Sequence, residues 1–120
     1  SKNNMSKDPL VFVFHIRDSI NNIVEFTKDK SKEDFFEDKM MQSAVIRELE
    51  VIGEAVKNLP VEFRQKYSLV SWKDIVGMRD KIVHYYFGVD LDKVWKVVQE
   101  ELVVLKKQIF EILAKEKVKM

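Results

Sequence analysis

A chain of 120 residues can bury one hydrophobic core but not two. Hydrophobic residues make up 46% and charged residues 34%, which excludes a disordered polyelectrolyte and points to a soluble globular domain. With no Cys there is no disulfide, thiol nucleophile or zinc–thiolate site, and a net charge of +1 leaves no global nucleic-acid footprint.

Any RNA contact therefore has to be local and built by assembly. The longest early apolar run, Leu10 to Phe14, is too short for a signal core or a membrane span, so a cytoplasmic protein is expected. Residues 1–7 are expected to be flexible, with Met5 a candidate natural start, and the whole of 1–120 is read as a single helical domain. No internal repeat or low-complexity segment is present.

Asp8-Pro9 is a helix start, with Asp as the cap and Pro in the first turn. Val13, Ile16, Ile20, Ile23 and Thr27 follow at 3-4 spacing and form a core stripe. Val11, Phe12 and Phe14 widen the apolar surface, as core in preference to a dimer contact. His15 is read as structural or exposed. Ser31 with Asp34 reads as a capping pair opening a short turn through Phe35-Phe36. A long helix follows from about Asp38 to Asn58, buried along Met41, Val45, Leu49, Ile52, Val56 and Leu59. Gly53 lies in its middle, where Gly costs stability relative to Ala, so another helix should approach closely there. Glu50 and Glu54, one turn apart, are read as a solvated or salt-bridged face rather than a catalytic pair. Pro60 ends the helix.

Val61 to Tyr67 reads as one short helical turn, and Ser71 with Asp74 as a second capping pair. The next helix should turn Ile75, Met78, Ile82 and Val83 to the core, with Trp72 anchoring its start. Val83 to Phe87 is rich in β-formers but too short and isolated for a strand. Asp90 caps a last helix from Leu91 to about Lys115, striped by Val94, Val98, Leu102, Leu105, Ile109 and Leu113. Trp95 beside that stripe is a candidate for a partner interface, and Lys115, Lys117 and Lys119 complement a helix C-terminus. Four amphipathic segments and no alternating pattern predict an all-α, up-and-down four-helix bundle with short extra turns.

Chemistry concentrates in Gly77 to Asp90, which holds Arg79, Asp80, His84, Tyr85 and Tyr86. Histidine exchanges protons near neutral pH, and arginine offers a planar fork of donors that fits a phosphate. Asp80 and His84 are four apart and share a helix face. Arg79 and His84 are five apart, about 140° from each other on a regular helix. Either the helix loosens near His84, or two copies pool their residues across one cleft. No phosphate-binding loop, zinc-protease motif or nucleophile elbow accompanies them.

Arg79, four residues, His84, one residue, Tyr86 has the form R-x-x-x-x-H-x-Y. With Ala44–Ala55, Trp72–Asp80 and Tyr86–Asp90 around it, the chain resembles the HepT toxin family of the HEPN superfamily, closely from about Met41 to Leu105. The resemblance implies the same bundle and a metal-independent endoribonuclease without cofactor. His84 would be general base on the ribose 2′-hydroxyl, Arg79 would hold the scissile phosphate, and Asp80 would orient His84. The product would be a 2′,3′-cyclic phosphate. The resemblance further implies a type VII-like toxin–antitoxin pair, in which an MNT-type nucleotidyltransferase antitoxin places AMP on Tyr86. The angular argument predicts a homodimer whose two His84 side chains face a shared, positive cleft. The alternative is a non-catalytic subunit of a nucleotidyltransferase that binds nucleotide or simply docks.

Overall fold

The computed structural model describes residues 8–84 and 90–118, with side chains described over 8–82 and 90–116. Helix α1 (Pro9–Thr27) starts where Asp8 accepts from the Leu10 amide at 2.9 Å. Its Val13, Ile16, Ile20 and Ile23 are fully buried. Of the extra apolar residues at its start, Phe12 and Phe14 pack half-buried on the core, whereas Val11 is exposed. Helix α2 (Lys32–Glu37) opens with a complete capping box. The Asp34 amide donates to Ser31 Oγ at 3.0 Å, and the Ser31 amide donates to Asp34 Oδ2 at 2.9 Å. Hydrogen bonds from Ser31, its backbone amide first and its hydroxyl second, hold the Asp34 carboxyl below its ordinary range.

Helix α3 (Lys39–Asn58) is capped by Asp38, which accepts from the Met41 amide, and it buries every residue of its expected stripe. After α4 (Val61–Lys66) the chain turns into α5 (Trp72–His84). Trp72 is buried, and its indole N–H is shared between the carbonyls of Arg64 at 3.1 Å and Tyr67 at 3.0 Å. It is an anchor for the helix start and leaves no ring face for a base to stack on. The Tyr67 hydroxyl donates to Glu116, to which Lys66 is also paired, and this joins α4 to the last helix. Burial and the neighbouring Glu116 carboxylate push the Tyr67 hydroxyl up.

Asp90 accepts from the amides of Asp92 and Lys93 and starts α6 (Leu91–Lys96). A π segment (Val97–Glu101) then leads without a break into α7 (Leu102–Val118). The regular α-helix expected here thus contains one widened stretch. Val94, Val98 and Leu102 are four apart twice over, and each step of four overshoots a regular turn by about 40°. All three stay buried through the wider turns of the π segment. Trp95 is half-buried and lies against Phe35 of its own chain, ring centres 5.1 Å apart.

The result is a four-helix bundle, as the sequence predicts. α1 packs on α3 and α7, α5 packs on α3, and α2 bridges α3 and α6. No strand is found among the described residues, and no described helix is long and apolar enough to cross a membrane. The α5–α7 side stays open as a cleft of about 250 Å³, floored by Leu49 and Ile52 and walled by Ile75, Met78, Val97 and Leu105.

Candidate active site

Arg79 sits halfway along α5, where α5 meets α3. The contact is closest at Gly53. A Cβ on that glycine would fall 2.2 Å from Arg79 Cβ and 2.4 Å from its Cγ, distances no side chain tolerates. The close approach expected at this mid-helix glycine is therefore made by the stem of the motif arginine itself.

From that notch the guanidinium reaches two carboxylates. Nη2 donates to Glu54 Oε1 at 2.7 Å, and Nη1 donates to Asp80 Oδ1 at 3.1 Å. Nε is buried, with no hydrogen-bond partner among the described residues. The arginine side chain is only 24% exposed, while Glu54 is 54% exposed. A cation is thus held in a half-buried seat by an acid that reaches it from solvent. Each terminal nitrogen carries two N–H donors. Among the described residues one on each is used, which leaves one on each for a further acceptor such as a phosphate oxygen. Two carboxylates beside one guanidinium make this part of the site no positive groove within a single chain.

Asp80, expected to orient His84, has one carboxylate oxygen engaged by Arg79. His84 ends α5, and its side chain, together with Tyr85, Tyr86 and Gly88, lies outside the described residues. α5 runs as regular α-helix to His84, so the backbone does not loosen before that residue. His15 is exposed on α1, edge-on to Phe12 at 6.3 Å. Among the described residues no three His, Asp or Glu side chains gather as a metal would require.

The structure brings Gly53 and Glu54 against Arg79, beside the residues singled out in the sequence. Glu54 was legible as half of an acidic pair with Glu50, and its salt bridge is the one that reading allows. Its partner was not legible, because the 25 residues separating Glu54 from Arg79 carry no pattern linking them. The one signal was that Glu54 directly follows a glycine inside a helix.

Comparison with known proteins gives the same direction. The family model described as "Ribonuclease HepT-like" matches residues 16–119. A protein of Caldanaerobacter subterraneus subsp. tengcongensis, named as a candidate RNase, is 49% identical over 92% of this chain and 99% of its own length. A protein of Thermococcus cleftensis named "Probable ribonuclease HepT" is 47% identical over 83% of this chain and 90% of its own. A Methanocaldococcus jannaschii protein, named for both gamma-glutamylcyclotransferase and a candidate RNase, is 50% identical over 91% of this chain. There the chain spans only 49% of the relative's length. No solved structure matches.

Proposed function

The chain belongs to the HepT-like ribonuclease family, and from that premise we propose that it is the toxin of a type VII-like HEPN/MNT pair, a metal-independent endoribonuclease. The observation that carries this reading is the seated Arg79 in the middle of α5, whose two terminal nitrogens each spend one donor among the described residues. His84 takes the proton of the ribose 2′-hydroxyl, and that oxygen attacks the adjacent phosphorus. The bond to the 5′ oxygen breaks, and that oxygen leaves with a proton from the surroundings. The products are a 2′,3′-cyclic phosphate and a 5′-hydroxyl. Arg79 offsets the charge that builds on the phosphoryl oxygens, and Asp80 orients His84.

The regular course of α5 supports assembly. It keeps Arg79 and His84 about 140° apart on one helix, so a phosphate is served best by Arg79 of one copy and His84 of the other in a homodimer cleft. Tyr86 is the proposed switch. An MNT-type nucleotidyltransferase partner transfers AMP from ATP to its hydroxyl with release of pyrophosphate. The added bulk and phosphate charge then compete with RNA for Arg79. A Tyr86→Phe protein should escape silencing by that partner with ATP, read by intact mass and residual cleavage.

The direct test is incubation of the pure protein with a tRNA pool and a labelled RNA, with and without chelator. Cleavage should survive chelator. Arg79→Ala and His84→Ala should each lower it by about 100-fold or more while the helical signal is retained. Undiminished cleavage by a folded His84→Ala protein would sink the mechanism. Absence of cleavage by the parent would favour the non-catalytic subunit.

A further inference from the structure

Gly53 and Glu54 lie on a different helix from the R-x-x-x-x-H-x-Y motif, yet they define where its arginine sits. The stem of Arg79 lies against the bare backbone at Gly53. Its Nη2 is fixed by Glu54 at 2.7 Å, the shorter of its two ion pairs. The two contacts act at opposite ends of one side chain, which leaves it little rotational freedom. An arginine otherwise loses considerable rotamer entropy when it is fixed on a substrate. Here that loss is taken in folding, before RNA arrives.

We propose that the Gly53–Glu54 step of α3 is the positioning element for the phosphate-binding arginine, with Glu54 a positioning residue that acts through Arg79. This rests on the ribonuclease reading above. Glu54 leaves a second N–H on Nη2, so it can stay in place while phosphate binds. Because it is more than half exposed, its removal does not open the core. Gly53 is the complementary half, since any side chain there must push the Arg79 stem away or part α5 from α3.

The test compares parent, Glu54→Ala, Glu54→Gln and Gly53→Ala as full chains. It reads cleavage kinetics, affinity for a 2′-O-methyl RNA that cannot be cut, and thermal unfolding. Misplacing a catalytic group by about 1 Å costs about 100-fold in rate. Glu54→Ala should therefore lose about 10- to 100-fold in kcat. Its affinity for the methylated RNA should change by less than about threefold, and its Tm should stay near the parent's. Glu54→Gln keeps an acceptor and should recover most of the loss, whereas Gly53→Ala should lose activity as Glu54→Ala does. Parent-like kcat in Glu54→Ala, or a loss that only tracks the unfolded fraction, overturns the proposal. If the parent cuts no RNA, the ribonuclease reading fails on its own. Positioning is then judged by NMR of the Arg79 guanidinium: hindered rotation in the parent and free rotation in Glu54→Ala uphold it, and identical signals in both overturn it.

Discussion

The α1–α3 contact and the α5–α3 contact are made on the same helix by different means. Between α1 and α3 the meeting residues are branched aliphatics with no exposure at all, such as Ile16, Ile20, Ile23 and Val45. Along α5 only Trp72 and Ile82 are buried among the described side chains, and neither is fully so, while Ile75, Val76 and Met78 pack half-buried. In place of a dry seam α5 has a glycine notch, an arginine stem and an ion pair, with an open cleft on its other side. One side of α3 supplies stability, and the other trades it for a polar group held in a fixed place.

The largest separation should come from a truncation on the dry side. Ile20→Ala removes a fully buried side chain and should cost about 2–5 kcal/mol. That lowers Tm by roughly 10 °C or more, with specific activity of the folded fraction unchanged. Met78→Ala on the α5 side should cost about 1 kcal/mol, since the residue is only half-buried, yet slow cleavage several-fold by loosening α5. Calorimetry and initial rates on both variants decide it, and equal losses of activity would erase the contrast.

The smallest effect lies far from α5. Asp34 titrates below its ordinary value in the folded chain because Ser31 hydrogen-bonds its charged form. Its contribution is present above the unfolded value and is lost as pH falls through the depressed folded one. Ser31→Ala should move the Asp34 midpoint up toward the ordinary range by NMR titration and leave cleavage untouched. The shift should be partial, because alanine keeps the Ser31 backbone amide that is the larger cause, and a midpoint that stays put would mean that amide alone sets the carboxyl.

Most of the bundle was legible because helix stripes are a local property. Every stripe position from Val13 to Leu113 on α1, α3 and the last helix that periodicity marked is buried. Caps at Asp8, Ser31 and Asp90 depend on residues two or three apart and were equally readable. The π segment was not, because Met41, Val45 and Leu49 carry the same double step of four inside a regular helix. Trp95 was ambiguous because Phe35, its partner, is 60 residues away in sequence and belongs to another helix. Glu54 as the seat of Arg79 shares that cause: periodicity shows which face a residue is on, not what crosses it.

The π segment has a bearing on chain length. A widened turn stores one residue more than a regular helix needs, and its outer side carries Gln99, Glu100 and Glu101, all exposed. Removing one of these lets the ladder close as ordinary α-helix, with Leu102, Leu105 and Ile109 still facing inward. Elsewhere in the last helix a deletion would swing everything after it by about 100° and carry the stripe out of the core. In the last helix this stretch is where a residue can be lost with the register kept.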